Sequence, residues 1–81
     1  MTDVTHIPAK TNSFTHYAYL AGHDLDGNDV YVIDIVGEDG KTLSGVWCGE
    51  TEAEMREAAK LWIFDGCTVH FTEPPEWMTA H

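Results

Sequence analysis

The sequence has few basic residues: its 81 positions contain four lysines and arginines against 14 aspartates and glutamates, a formal net charge of -10. Nucleic acid and anionic membrane surfaces repel such a chain, so the composition disfavours both as direct partners. The composition favours basic protein surfaces, many of which hold nucleic acid. Surface acids also keep a small domain soluble, but such domains usually carry a net charge of about 2 to 8 in magnitude.

Cysteines and long apolar runs are also scarce. Two cysteines, Cys48 and Cys67, are too few for a disulfide framework, and we predict that both are buried thiols. No apolar run approaches the roughly 20 residues of a membrane-spanning helix, and residues 1–12 lack the pattern of a secretory signal. We therefore expect a cytoplasmic protein without a membrane partner, in which residues 1–12 form a flexible N-terminal segment.

The sequence lacks the motifs of a catalytic or metal site. Asp24, Asp26 and Asn28 match the first ligand positions of an EF-hand loop, but the glycine and the final glutamate of that motif are missing. No pair of histidines or cysteines has the spacing that places two zinc ligands on one element. The residues that could in principle assemble a zinc site are His16, His23, Cys48, Cys67 and His70. We expect no enzymatic activity, no cofactor and no metal.

Apolar periodicity and turn residues predict four strands. The predicted strands cover residues 14–21, 30–36, 42–48 and 67–72. A polar loop at 23–29 follows the first strand, and the hairpin Glu38-Asp39-Gly40 follows the second. In the second strand, alternation directs Ile33 toward the core and places Asp34 on the wetter face.

The best determined element is a helix that begins after Thr51. The sequence Thr51-Glu52-Ala53-Glu54 is a capping box, in which the Thr51 hydroxyl accepts from the Glu54 amide and the Glu54 carboxylate reaches back to Thr51. One apolar stripe follows at helical spacing and contains Met55, Ala58, Ala59, Trp62 and Ile63. Gly66 ends the helix. The order β-β-β-α-β predicts one compact α+β domain over residues 1–81, with a small antiparallel sheet of about four strands, one helix packed on one face and a tail at 74–81.

Two apolar helix residues lie away from the stripe. On a helical wheel, Leu61 and Phe64 fall on the side of Glu54 and Glu57. We expect the tail around Trp77 to fold over them, because small soluble domains avoid large apolar patches. The alternative is an apolar contact site rimmed by carboxylates.

The acids are spread over several elements, where they can imitate the phosphate array of a duplex and occupy a groove lined by lysine and arginine. We predict that the protein binds a basic partner surface and no nucleic acid directly. The predicted partner-binding residues are the loop acids Asp24, Asp26 and Asp29, the hairpin acids Glu38 and Asp39, and the helix residues Glu54, Glu57, Leu61 and Phe64.

The stretch at residues 31–71 resembles the small acidic anti-CRISPR proteins that phages encode against type I systems. The resemblance is carried by the hairpin EDGK, the helix TEAEMREAAKLW and the aromatic strand ends. It implies a non-enzymatic inhibitor that binds the crRNA-guided surveillance complex (Cascade) in the host cytosol and blocks target DNA. The helix entry GETEAE is also similar to that of HicB-type antitoxin domains, which implies the alternative of an antitoxin-like regulatory module that neutralises a basic partner protein.

Overall fold

A computed structural model describes residues 14–80, apart from the side chains of Thr79 and Ala80. The N-terminal segment predicted at residues 1–12 therefore lies outside the described residues. The elements are β1 (Thr15–His23), β2 (Asp29–Val36), β3 (Thr42–Gly49), α1 (Glu52–Phe64), β4 (Thr68–His70) and β5 (Thr79–Ala80). The predicted α+β plan and its β-β-β-α-β order are confirmed, and the tail adds the short strand β5.

All the strands belong to one sheet in the order β4-β1-β2-β3-β5. The first three strands pair in antiparallel fashion, as their short connections require. β4 is parallel to β1, however, and β5 is parallel to β3, so the sheet is mixed and not wholly antiparallel. The reason for the first parallel pair is that α1 carries the chain back across the sheet, and a helical crossover joins strands that run in the same direction.

The core lies between one face of the sheet and α1. Its buried residues are Ala18, Ile33, Met55 and Ala59, and the partly buried residues packed against them are Tyr31, Trp47, Ala58, Trp62 and Val69. The inward direction of Ile33 is therefore confirmed, as is most of the apolar stripe on the helix. Ile63 is the exception, since 47 % of it is exposed. It lies about 80° around the helix from Met55, at the edge of the stripe, and the sheet does not reach it.

Asp34 lies on the face opposite Ile33, as alternation predicts, but only 8 % of it is exposed, so its expected contact with water is wrong. The Tyr19 hydroxyl donates a hydrogen bond of 2.6 Å to Asp34 Oδ2. A buried carboxylate is tolerated when hydrogen bonds replace those that water would make. Burial and this hydrogen bond also raise the pKa of Tyr19, and the nearby carboxylate of Glu73 adds to the effect.

The start of α1 confirms half of the predicted capping box. Thr51 Oγ1 accepts from the backbone N–H of Glu54 at 3.1 Å. The Glu54 carboxylate accepts instead from the N–H of Glu50, one residue before the cap, at 3.4 Å. The helix ends with Asp65 as its C-cap, and Gly66 follows with a φ of 94°, as predicted for the terminating glycine.

Removal of the Thr51 hydroxyl should destabilise the protein modestly. We expect Thr51→Ala to lower the free energy of unfolding by about 1 kcal/mol, because an N–H in the first turn of α1 loses its acceptor. Thr51→Ser keeps the acceptor and serves as the matched control. Urea unfolding of both variants checks the prediction, and equal losses in the two would show that the hydroxyl does not act as a cap.

Candidate functional site

The five acids predicted in the loops lie at opposite ends of the sheet. Asp24, Asp26 and Asp29 are in or beside the β1–β2 connection, and we call them the β1–β2 acids. Glu38 and Asp39 are in the β2–β3 connection, and we call them the β2–β3 acids. Asp29 is the first residue of β2, and the eight residues of this strand extend toward the β2–β3 acids over about 26 Å at about 3.3 Å per residue. The structure therefore divides the loop acids into two groups.

Two of these carboxylates shape the turns that carry them. Asp24 Oδ1 accepts from two backbone N–H groups of its own turn at 2.9 Å each, and these bonds, chiefly the one from Asn28, lower the pKa of Asp24. Asp39 accepts from the hydroxyl of Thr42 and from two backbone N–H groups at 2.9 and 3.0 Å. The Thr42 hydroxyl contributes most to lowering the pKa of Asp39 to about 2. Both groups are therefore charged at neutral pH and fixed in direction.

The other three loop acids have fewer contacts with the rest of the fold. Asp29 Oδ1 lies 3.1 Å from Nε2 of His23, across the β1–β2 pair. The exposed carboxylates of Asp26 and Glu38 make no hydrogen bond or ion pair with any residue that the structure describes. These two acids can therefore be neutralised without removing a contact that supports the fold.

The predicted helix residues lie beside an open groove between the end of β3 and the start of α1, which we call the β3–α1 groove. It has a volume of about 750 Å³ and is lined by Trp47, Cys48, Gly49, Glu50, Glu54, Glu57, Ala58 and Leu61. The structure thus brings together three of the predicted partner-binding residues, Glu54, Glu57 and Leu61. Phe64 is outside the lining, although it is on the same helix.

Trp47 and Glu50 belong to this groove but were not among the predicted site residues. A Cβ atom placed on Gly49 would lie 2.3 Å from Cη2 of Trp47, so the indole ring lies directly over this glycine. Side chains two residues apart in a strand share a face, and only glycine leaves room for the ring at the strand end. The sequence Trp47-Cys48-Gly49, with glycine two residues after tryptophan, was the signal from which this packing could have been predicted.

The tail does not cover Leu61 and Phe64, so that expectation is wrong. Leu61 is 70 % exposed and Phe64 is 90 % exposed, while Trp77 itself is 65 % exposed. The tail instead leads to the far edge of the sheet, where the register pairs Thr42 with Thr79 and Leu43 with Ala80. Backbone pairing along this edge holds the end of the tail at β3. The two helix residues therefore remain available for contact with a partner.

The candidate zinc ligands are on different sides of the sheet. His16 packs against Trp62 of α1 in a tilted arrangement with ring centroids 5.2 Å apart, while His70 stacks on Tyr17 of β1 with ring centroids 5.1 Å apart. Within residues 14–80, no three His, Cys, Asp or Glu side chains are placed to hold a metal ion. Cys48 is exposed, contrary to the predicted burial, because its neighbour Trp47 takes the position that faces the helix.

His16 is the least expected buried residue. It has no exposed surface, and neither Nδ1 nor Nε2 has a partner within hydrogen-bonding geometry in the described part of the chain. Burial lowers the pKa of His16, and the nearby backbone of Thr68 and Phe14 offsets only part of this effect. The imidazole is therefore neutral at pH 7 and acts as an aromatic core residue against Trp62.

The stability of the protein should fall as His16 becomes protonated in the unfolded state. Because its pKa is lowered in the folded protein, the unfolded chain binds a proton first when the pH drops below about 6.5. This contribution to stability is complete above about pH 6.5 and is lost below it. We expect urea unfolding between pH 7.5 and 5.0 to show a steeper loss for the wild type than for His16→Phe, which keeps a ring against Trp62. Parallel pH dependences would contradict the assignment.

Comparisons with known proteins do not assign the chain to a family. No family model matches it, and searches of curated proteins and of solved structures found no significant similarity. Within the described residues, no helix has the length and apolar character needed to cross a membrane. The resemblances to anti-CRISPR proteins and to HicB-type antitoxins therefore stay predictions.

Proposed function

We propose that this protein is a non-enzymatic inhibitor that binds a basic, nucleic-acid-binding protein surface through its carboxylates. The observation that carries the proposal is the exposure of the acids: every Asp and Glu in residues 14–80 is exposed except Asp34. Few of these charges are neutralised within the chain. The described residues contain two ion pairs with a lysine or an arginine, Arg56 with Glu52 at 2.8 Å and Lys60 with Glu57 at 3.3 Å.

The spacing of the two acidic groups favours a partner surface that normally holds a nucleic-acid duplex. The strand β2, which runs between the two groups, has a length of about 26 Å from its residue count, and this is close to the rise of about eight base pairs at about 3.4 Å per step. A basic groove long enough for such a duplex segment can contact both groups at once. A globular partner with one small basic patch would contact only one of them.

We propose the type I crRNA-guided surveillance complex, Cascade, as the target, following the resemblance to anti-CRISPR proteins. RNA-guided effector complexes hold nucleic acid in positively charged channels, which provide the required complement. Binding in such a channel, in the cytosol of the host cell, would prevent the complex from engaging target DNA. This mechanism requires no catalytic group and no cofactor.

The salt dependence of association tests this proposal. We expect the rate at which the protein associates with purified Cascade to fall more than about tenfold when salt is raised from a low concentration to the physiological concentration or above. Opposite charges accelerate association, and salt screens them. Biolayer interferometry with immobilised Cascade provides the rates. An on-rate that does not change with salt would contradict a charge-driven contact. Failure to bind Cascade, together with binding to a small basic ribonuclease, would favour the antitoxin-like alternative.

A further inference from the structure

We propose that the β3–α1 groove binds an arginine side chain of the basic partner. The inference rests on the proposed function for the identity of the partner, but the chemistry of the groove can be tested separately. It adds to the acidic surface an open groove in which the partner is held by both charge and apolar contact. The groove combines carboxylates with the indole of Trp47 and the exposed side chain of Leu61.

Three carboxylates give the groove a negative charge. Glu50, Glu54 and Glu57 all line it, and none is buried. The Glu54 carboxylate contacts a backbone N–H at 3.4 Å and pairs with no cation among residues 14–80. Glu57 pairs with Lys60 at 3.3 Å, but both side chains are largely exposed, and exposed pairs of this kind hold each other weakly. The groove therefore retains a negative charge that a partner cation can neutralise.

Apolar side chains line the groove between these carboxylates. The indole of Trp47 is fixed in place because its ring lies over Gly49, and Ala58 and Leu61 line the groove beside it. A guanidinium stacks well on an indole and donates hydrogen bonds to carboxylates from its edges, while the methylene stem of arginine can cover Ala58 and Leu61. Lysine fits less well, because its ammonium is compact and strongly hydrated.

The direct test uses small probes in place of the partner. Nα-acetyl-arginine amide, its lysine counterpart and its uncharged citrulline counterpart are titrated separately into the isotope-labelled protein. We expect the arginine probe to shift the indole N–H signal of Trp47 and the amides of Gly49 and Glu50, with a weaker effect from lysine and none from citrulline. Shifts of equal size with citrulline, or no shift at Trp47 with arginine, would overturn the proposal.

Two double variants separate the groove from net charge. Glu54→Gln with Glu57→Gln removes two carboxylates from the groove, and glutamine at 54 still provides an acceptor near the helix start. Asp26→Asn with Glu38→Gln removes the same charge from acids outside the groove. We expect the groove variant to weaken the arginine shift about three- to tenfold, and the control to leave it nearly unchanged. If the arginine shift weakened equally in both variants, net charge alone would explain it, and the proposal would be overturned.

The same variants distinguish this inference from the proposed function. If the arginine probe binds the groove but the protein does not bind Cascade, the proposed target is wrong and the groove assignment stands. If Cascade binds the groove variant as tightly as the wild type, and the probe shifts no groove signal, the groove assignment is wrong and the acidic inhibitor stands.

Discussion

Ile33→Ala should lower the free energy of unfolding by about 2 to 5 kcal/mol, because the change leaves a cavity at the centre of the core. Ile33 has no exposed surface and packs in one cluster with Ala18, Met55 and Ala59. A small domain has only about 5 to 15 kcal/mol of stability, so this variant should unfold at a much lower urea concentration. Chemical denaturation followed by tryptophan fluorescence and by circular dichroism measures the loss.

Ile63→Ala is the matched control, since it is the same change on the same apolar type. Nearly half of Ile63 is exposed, and we expect a loss of at most about 1 kcal/mol. The helical pattern alone places Ile63 in the core and would predict a large loss of stability, so this comparison also tests the structure against that pattern. Equal losses for Ile33→Ala and Ile63→Ala would contradict the position of α1 on the sheet.

The second large effect should come from neutralising one acidic group at a time. We expect Asp24→Asn, Asp26→Asn and Asp29→Asn, combined in one variant, to weaken binding to Cascade about 10- to 100-fold, which corresponds to about 1.4 to 2.8 kcal/mol. Asparagine at 24 retains the oxygen that accepts the turn N–H groups, so the loop should keep its conformation. Most of the loss should come from a slower on-rate, because long-range attraction steers the encounter.

Two further variants show whether both ends of the sheet take part. Glu38→Gln with Asp39→Asn neutralises the β2–β3 acids and should also weaken binding at least about fivefold. Asp65→Asn with Glu76→Gln removes two charges elsewhere and should change affinity by less than about threefold, since charges outside the contact act only at long range. Circular dichroism confirms that each variant is folded. A loss confined to one end would rule out a contact that spans the length of β2.

Local signals in the sequence account for much of the fold. Thr51 and Glu54 mark the start of α1 through contacts within one helical turn, and the alternation in β2 directs Ile33 inward. Two features depend on residues distant in the chain and could not be predicted. The burial of Asp34 depends on the hydroxyl of Tyr19, 15 positions earlier, and the tail pairs with the opposite edge of the sheet.

The candidate site also has some features that local sequence predicts and others that depend on the tertiary structure. The acids themselves could be predicted from composition and turn position, and the separation of the two groups follows from the hairpin order. The β3–α1 groove could not be predicted, because it requires the relative position of β3 and α1 and the ring of Trp47 over Gly49. The exposure of Leu61 and Phe64 likewise depended on where the tail ends.

We propose that this protein and target DNA compete for one surface of Cascade. The most direct test offers both to the same immobilised crRNA-loaded complex, with fluorescent target DNA at fixed concentration and increasing amounts of protein. We expect bound DNA to fall toward zero as the protein saturates the complex, and excess DNA to displace the protein in the reverse experiment. Simultaneous binding of both, with DNA affinity unchanged at saturating protein, would contradict the proposal.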